Sequence, residues 1–333
     1  MRKPKAAFLN NGPQIDSVYG QGRRTRVADL TDVYPDVVSA ETFEDHRAAL
    51  VDVEAVFSTW GMPALSAEQI AEMPALKAVF YAAGSVQNFA RPFLERDVTV
   101  VSAWVANGMC VAEFTLAQIL LSCKGYFRNT QDCRSPEKRR GGGVVRGRGV
   151  FGATVALVGI GAIGRAVAAM LKPFNTTVLG VDPYLPEDQA RALDLEMVSL
   201  EEAFERAYVV SNHLPNLPTL QGVLTGKLFS AMPHGATFIN TGRGAQVQED
   251  GLIRVLNQRP DLTALLDVTA PEPPKPESEL YTLPNVQLSS HIAGAMNNEV
   301  VRMADTAIEE FISWRDGQPL RYSVSLEQLE IMA

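Results

Sequence analysis

Short apolar runs alternate with amphipathic stretches along most of this 333-residue chain. Over the first hundred residues the runs are Ala6–Asn10, Val37–Phe43, Ala55–Trp60, Leu76–Ala82 and Val98–Ala103. Spacings of about 20 residues leave room for one helix between each pair, the rhythm of a parallel sheet. Residues 110–128 predict a long apolar helix, with Val111, Phe114, Leu116, Ala117, Leu120 and Leu121 near helical spacing. Glycines 141–143, 147 and 149 then predict a loop. A second series of strands begins at Thr154 and continues with Thr177–Asp182, Tyr208–His213, Ala236–Asn240, Thr263–Val268 and Val286–Ile292. Ser199-Leu200-Glu201-Glu202 reads as a capping box before a short helix, and Glu249–Gln258 as a helix ended by Pro260. Four prolines within 271–276 predict a rigid loop. A final helix over about 297–316 carries the apolar stripe Val300, Ala304, Ala307, Ile308, Phe311 and Trp314.

One stretch adds chemistry to this pattern. The apolar run Ala153–Val158 enters Gly159-Ile160-Gly161-Ala162-Ile163-Gly164, an amphipathic helix follows to near Pro173, and the next apolar run ends in Asp182, 18 residues past Gly164. Gly159 permits a tight turn, Gly161 lets a pyrophosphate approach the backbone, and Gly164 lets helix pack on strand. The amides at the helix start (Ala162, Ile163) face the phosphates. Asp182 suits ribose hydroxyls and repels a 2′-phosphate. Because Pro183 and Tyr184 follow it, with no nearby Arg or Lys, NAD is preferred over NADP. The predicted fold is α/β with two doubly wound parallel-sheet domains. A Rossmann NAD-binding domain (106–294) is inserted into a flavodoxin-like substrate domain (1–105 and 295–333), with a cleft and hinge expected between them.

Composition changes this picture little. The net charge of −8 argues against a nucleic-acid or membrane-surface protein. Lys138-Arg139-Arg140, Arg146 and Arg148 form a local basic patch, read as a solvated linker. Cys110, Cys123 and Cys133 lack metal-ligand spacing and suit a reducing, cytoplasmic setting; no bound metal is expected. The basic N-terminus has too short an apolar run for a signal segment, and no uninterrupted apolar run predicts a membrane span.

Three residues at the ends of later strands could act on a carbonyl. Arg243 lies in Asn240-Thr241-Gly242-Arg243-Gly244, where a guanidinium can grip a carboxylate with two hydrogen bonds. Glu272 is fixed among prolines, and His291 follows Leu288-Ser289-Ser290 and precedes Ile292-Ala293-Gly294. Taken singly, Glu272 reads equally as a surface glutamate and His291 as a core histidine. Together they suit hydride transfer to a ketone: histidine delivers the proton, a carboxylate stabilises its imidazolium, and arginine anchors the substrate.

With Val111-Ala112-Glu113, the Gly159–Gly164 fingerprint, His213-Leu214-Pro215 with Thr219, the Asn240–Gly244 turn, Asp267-Val268 with Glu272-Pro273, and His291-Ile292-Ala293-Gly294 in this order, the chain resembles the D-isomer-specific 2-hydroxyacid dehydrogenase family from about residue 50 to 315. The resemblance implies Arg243 as substrate anchor, Glu272 as the acid paired with histidine, and His291 as general acid/base. It implies that Thr241 and Asp267 hold the nicotinamide carboxamide, with His213, Leu214, Pro215 and Gly294 also on the cofactor side. It places a carboxylate loop at Gly84-Ser85, with Trp60-Gly61 nearby. It further implies a small 2-keto or 2-hydroxy acid substrate and a homodimer with residues 125–150 as an arm. The substrate side departs from the family: Gln87 replaces an acid, Ser102, Trp104 and Val105 replace an Asn and a Pro-Gly pair, and Ser290 replaces a Pro. An NAD(H)-responsive scaffold on the same fold is the alternative; the intact Arg243, Glu272 and His291 favour an enzyme.

Overall fold

The computed structural model describes residues 2–330. Following the chain, strands β1 (Lys5–Leu9), β2 (Asp32–Val38), β3 (Ala55–Ser58), β4 (Ala78–Tyr81) and β5 (Thr99–Ser102) come first. Then come β6 (Ala153–Val158), β7 (Thr176–Val181), β8 (Leu195–Met197), β9 (Val209–Asn212), β10 (Thr237–Asn240), β11 (Thr263–Leu266) and β12 (Val286–Leu288), and finally β13 (Ser323–Val324). The chain folds as two compact units, residues 1–108 with 295–333, and residues 109–294.

The first unit holds a sheet of order β13-β5-β4-β3-β1-β2. Its strands are parallel except β13, which runs antiparallel along β5. Strands β3 and β4 are buried at every position, as continuous apolar runs in a covered parallel sheet should be. Phe57, Phe80 and Phe311 meet with ring centroids 5.2–5.5 Å apart, so the C-terminal helix Val301–Arg315 packs on the sheet centre. The expected strand Val37–Phe43 is instead β2 at 32–38, and Phe43 opens a helix. Because β2 is an edge strand, paired only with β1, it tolerates Asp32, Pro35 and Asp36 and carries no apolar signature.

The second unit holds an all-parallel sheet of order β12-β11-β10-β9-β6-β7-β8. The order reverses direction at β6, between β9 and β7, and a ligand site lies outside the carboxyl ends of the strands at such a switch point. The helix expected over 110–128 runs from Trp104 to Cys123 and stops before Gly125, whose φ of +68° ends it. With 20 residues and mean hydropathy 1.4, this helix is long and apolar enough to cross a membrane by length and composition alone, because its polar residues are almost all uncharged. Ala112, Ile119 and Cys123 on it pack into the core of the second unit. The basic residues Lys138, Arg139, Arg140, Arg146 and Arg148 are all exposed, as expected, but the first three end a helix, Pro136–Gly141, and the Arg148 guanidinium lies 4.9 Å over the Tyr208 ring.

Candidate active site

The glycine-rich turn joins β6 to the helix Ala162–Leu171. Gly159 has φ +92°, and a β-carbon there would stand 2.8 Å from the His213 carbonyl group. A β-carbon on Gly164 would stand 2.2 Å from the Gly159 oxygen, so helix and turn close only around hydrogen. A β-carbon on Gly161 would meet nothing within 4 Å and would fill open space above the turn. The amides of Gly161, Ala162 and Ile163 find no acceptor among the described residues. Open space, free amides and a helix N-terminus suit a pyrophosphate. Asp182, just past β7, accepts from Ile160 N at 2.8 Å and Tyr184 N at 2.9 Å, which fixes its carboxylate beside the turn.

His213, just past β9, is buried, with Nε2 3.0 Å from Ser211 Oγ and Nδ1 without a partner. Burial pushes its pKa down to about 4, so the ring is neutral at pH 7. Leu214 and Pro215 present their carbonyls to Gln246 Nε2 at 3.0 and 2.8 Å. Gln246 Oε1 accepts from Asn212 Nδ2 at 2.7 Å and from the Arg243 amide at 3.1 Å. Gln246 was not visible as a site residue in the sequence, since a buried glutamine leaves no periodic or compositional mark. It ties the loop after β9 to the loop after β10.

Arg243 spends one guanidinium N–H on the Gly242 carbonyl at 2.8 Å. Among the described residues it makes no ion pair and no hydrogen bond to Glu272 or His291. Thr241 is buried, its hydroxyl 3.1 Å from that of Thr115. Asp267, past β11, is also buried. Its carboxylate accepts from Ser289 Oγ at 2.6 Å, Ile292 N at 2.9 Å and Ala293 N at 2.9 Å, and its carbonyl accepts from His291 N at 3.0 Å. These bonds draw 289–293 into a turn, so the strand expected to reach Ile292 ends at Leu288. Ser289, a member of this turn, was likewise not singled out in the sequence.

His291 sits in that turn at φ +57°, a left-handed conformation costing a non-glycine residue about 1–2 kcal/mol. Its Nδ1 lies 2.7 Å from Glu272 Oε1, and both side chains are roughly half exposed. Glu272 stands between two cis X–Pro bonds, Ala270–Pro271 and Glu272–Pro273. The structure therefore brings the expected histidine and acid together, and Gly294 closes the turn at the end of this unit.

Of the substrate-side candidates, Trp60 and Gly61 follow β3 and Gly84 and Ser85 follow β4, all at carboxyl ends of first-unit strands. The Trp60 carbonyl accepts from Asn10 Nδ2 at 2.8 Å, and Gly61 has φ +93° against the Asn10 side chain.

A profile of the D-isomer specific 2-hydroxyacid dehydrogenase NAD-binding domain matches residues 116–293, more than half of the chain. The chain belongs to the D-isomer specific 2-hydroxyacid dehydrogenase family. Its 109–294 unit carries the family's NAD-binding domain, and NAD is the cofactor. D-3-phosphoglycerate dehydrogenase 2 of Arabidopsis thaliana is 33% identical over 219 residues, covering 66% of this chain and 35% of that protein. D-3-phosphoglycerate dehydrogenase of Methanocaldococcus jannaschii is 30% identical over 219 residues, covering 66% and 41%. The chain thus spans well under half the length of these curated relatives. A phosphoglycerate oxidoreductase of Rhizobium etli superposes with TM-score 0.80 over 96% of this chain and 98% of that one at 23% identity, a likeness of fold.

Proposed function

We propose that this dehydrogenase-family chain is an NAD-dependent oxidoreductase interconverting a small 2-keto acid and its D-2-hydroxy acid. The observation that carries the reading is the 2.7 Å His291–Glu272 hydrogen bond beyond the carboxyl ends of an NAD-binding sheet. NAD, when bound, supplies or accepts the hydride. Glu272 fixes the proton on Nδ1 and stabilises the imidazolium, which leaves Nε2 to exchange a proton with the substrate oxygen. In reduction, Nε2 gives its proton to the carbonyl oxygen; in oxidation it takes the hydroxyl proton. The Arg243 guanidinium, with one N–H committed to Gly242, has others left for a carboxylate. Thr241, Asp267 and Gly294 belong to the nicotinamide side in this reading, and His213, Leu214 and Pro215 to the adenosine side. Trp60, Gly61, Gly84 and Ser85 form the substrate side.

Exposed Leu121, Tyr126 and Phe151 on the second unit support a homodimer formed through it. Three free cysteines support a cytoplasmic setting.

His291→Ala tests the proton role. Turnover should fall by about 10²–10⁴ while NADH affinity, followed by fluorescence titration, is retained. A variant that still turns over at the wild-type rate would remove the general acid/base from the mechanism.

A further inference from the structure

The loop after β4 in the first unit is held by a residue of the neighbouring strand β5. Ser102 ends β5 and is fully buried. Its hydroxyl reaches two successive carbonyls of the loop after β4, Ala83 O at 3.0 Å and Gly84 O at 2.6 Å. The carbonyl before them, Ala82 O, accepts from Thr59 Oγ1 at 2.8 Å. In a trans peptide the C=O of one residue and the N–H of the next point in opposite directions. With Ala83 O and Gly84 O turned in toward β5, the amides of Gly84 and Ser85 must turn out. Neither amide has an acceptor among the described residues. Gly84 is half-buried and Ser85 exposed, so an anion can reach them. Two adjacent outward amides form an anion-binding nest.

We infer that Ser102 is a positioning residue that aims the Gly84 and Ser85 amides at the carboxylate of the 2-keto acid. Ser102 acts through the loop and does not touch substrate. The inference rests on the dehydrogenase reading above. It makes the pocket's grip on carboxylate depend on a hydroxyl buried beneath the loop. Removing the hydroxyl takes away the one O–H that Gly84 O and Ala83 O share and frees the peptide planes to rotate.

The test is calorimetric titration of the full chain, first with NADH and then, saturated with NADH, with oxamate, an unreactive isostere of a 2-keto acid. It compares wild type with Ser102→Ala and Ser102→Cys, the latter keeping bulk while donating weakly. Both variants should bind oxamate about tenfold more weakly with unchanged NADH affinity. Unchanged oxamate affinity would overturn the role of Ser102 and leave the dehydrogenase reading standing. A parallel loss of NADH affinity would show a general contribution to folding and overturn it too. Wild-type protein that binds NADH but not oxamate would overturn the keto-acid reading itself.

Discussion

His291 occupies a backbone conformation that few histidines adopt, and the bonds around it explain why it stays there. Its own amide and those of Ile292 and Ala293 all bond to Asp267, whose carboxylate also takes the Ser289 hydroxyl. Four hydrogen bonds to one residue outweigh a left-handed φ, and the imidazole is left pointing at Glu272. The histidine and the glutamate were legible in the sequence, one at a strand end and the other between prolines. Asp267 was legible only as a cofactor contact by resemblance, because nothing in the order of residues says that an aspartate will organise a turn more than 20 residues away. His213 is a different case. It is neutral when folded, with its pKa lowered to about 4, whereas in the unfolded chain it titrates at its ordinary 6.5. Above pH 6.5 both states leave it neutral, and as the pH falls toward 4 only the unfolded chain takes up the proton. Its contribution is therefore lost with acidification, by roughly 3 kcal/mol between pH 7 and pH 4. Urea unfolding of wild type and His213→Gln at several pH values should show the stability difference moving against wild type over that range. A difference independent of pH would contradict a buried neutral imidazole.

At the scale of elements, the strands do their work at their carboxyl ends. The apolar runs located β1, β3, β4, β5 and β6 in the sequence, because buried parallel strands are nearly uninterrupted apolar segments. The runs overshot several ends: Trp60, His213 and Ile292 were placed inside strands and lie in the loops beyond them. At Trp60 and Ile292 side-chain hydrogen bonds, from Asn10 and to Asp267, take over from the ladder, and such bonds carry no periodicity. Gln246 shows what is invisible. Its amide takes part in four hydrogen bonds that join the Leu214–Pro215 loop to Arg243. Gln246→Leu strips the donor from two carbonyls and the acceptor from the Arg243 amide. It should cost about 2–3 kcal/mol of stability and weaken NADH and keto-acid binding together. Urea unfolding and parallel NADH and substrate titrations read this out. A loss confined to stability, with both ligands bound as before, would make Gln246 a core residue only.

Across the whole molecule, two mostly parallel sheets each place their loops beyond the strand ends, and the candidate residues for cofactor or substrate fall on such loops or, for Ala162, Ile163 and Gly164, on the first turn of the helix that follows one. The order of motifs along the chain was enough to name the family, and the match over 116–293 shows it. Which 2-keto acid fits was not legible. No motif along the chain encodes the shape of a substrate pocket. The most direct measurement is NADH oxidation by the purified full chain across glyoxylate, hydroxypyruvate, pyruvate, branched and aromatic 2-keto acids and sugar-derived keto acids, with NADPH in parallel. NADH consumption that depends on one class of 2-keto acid, exceeds that with NADPH and yields the D-hydroxy acid is the expected result. Firm NADH binding with no consumption on any of these acids would contradict the dehydrogenase reading and leave an NAD(H)-responsive scaffold in its place.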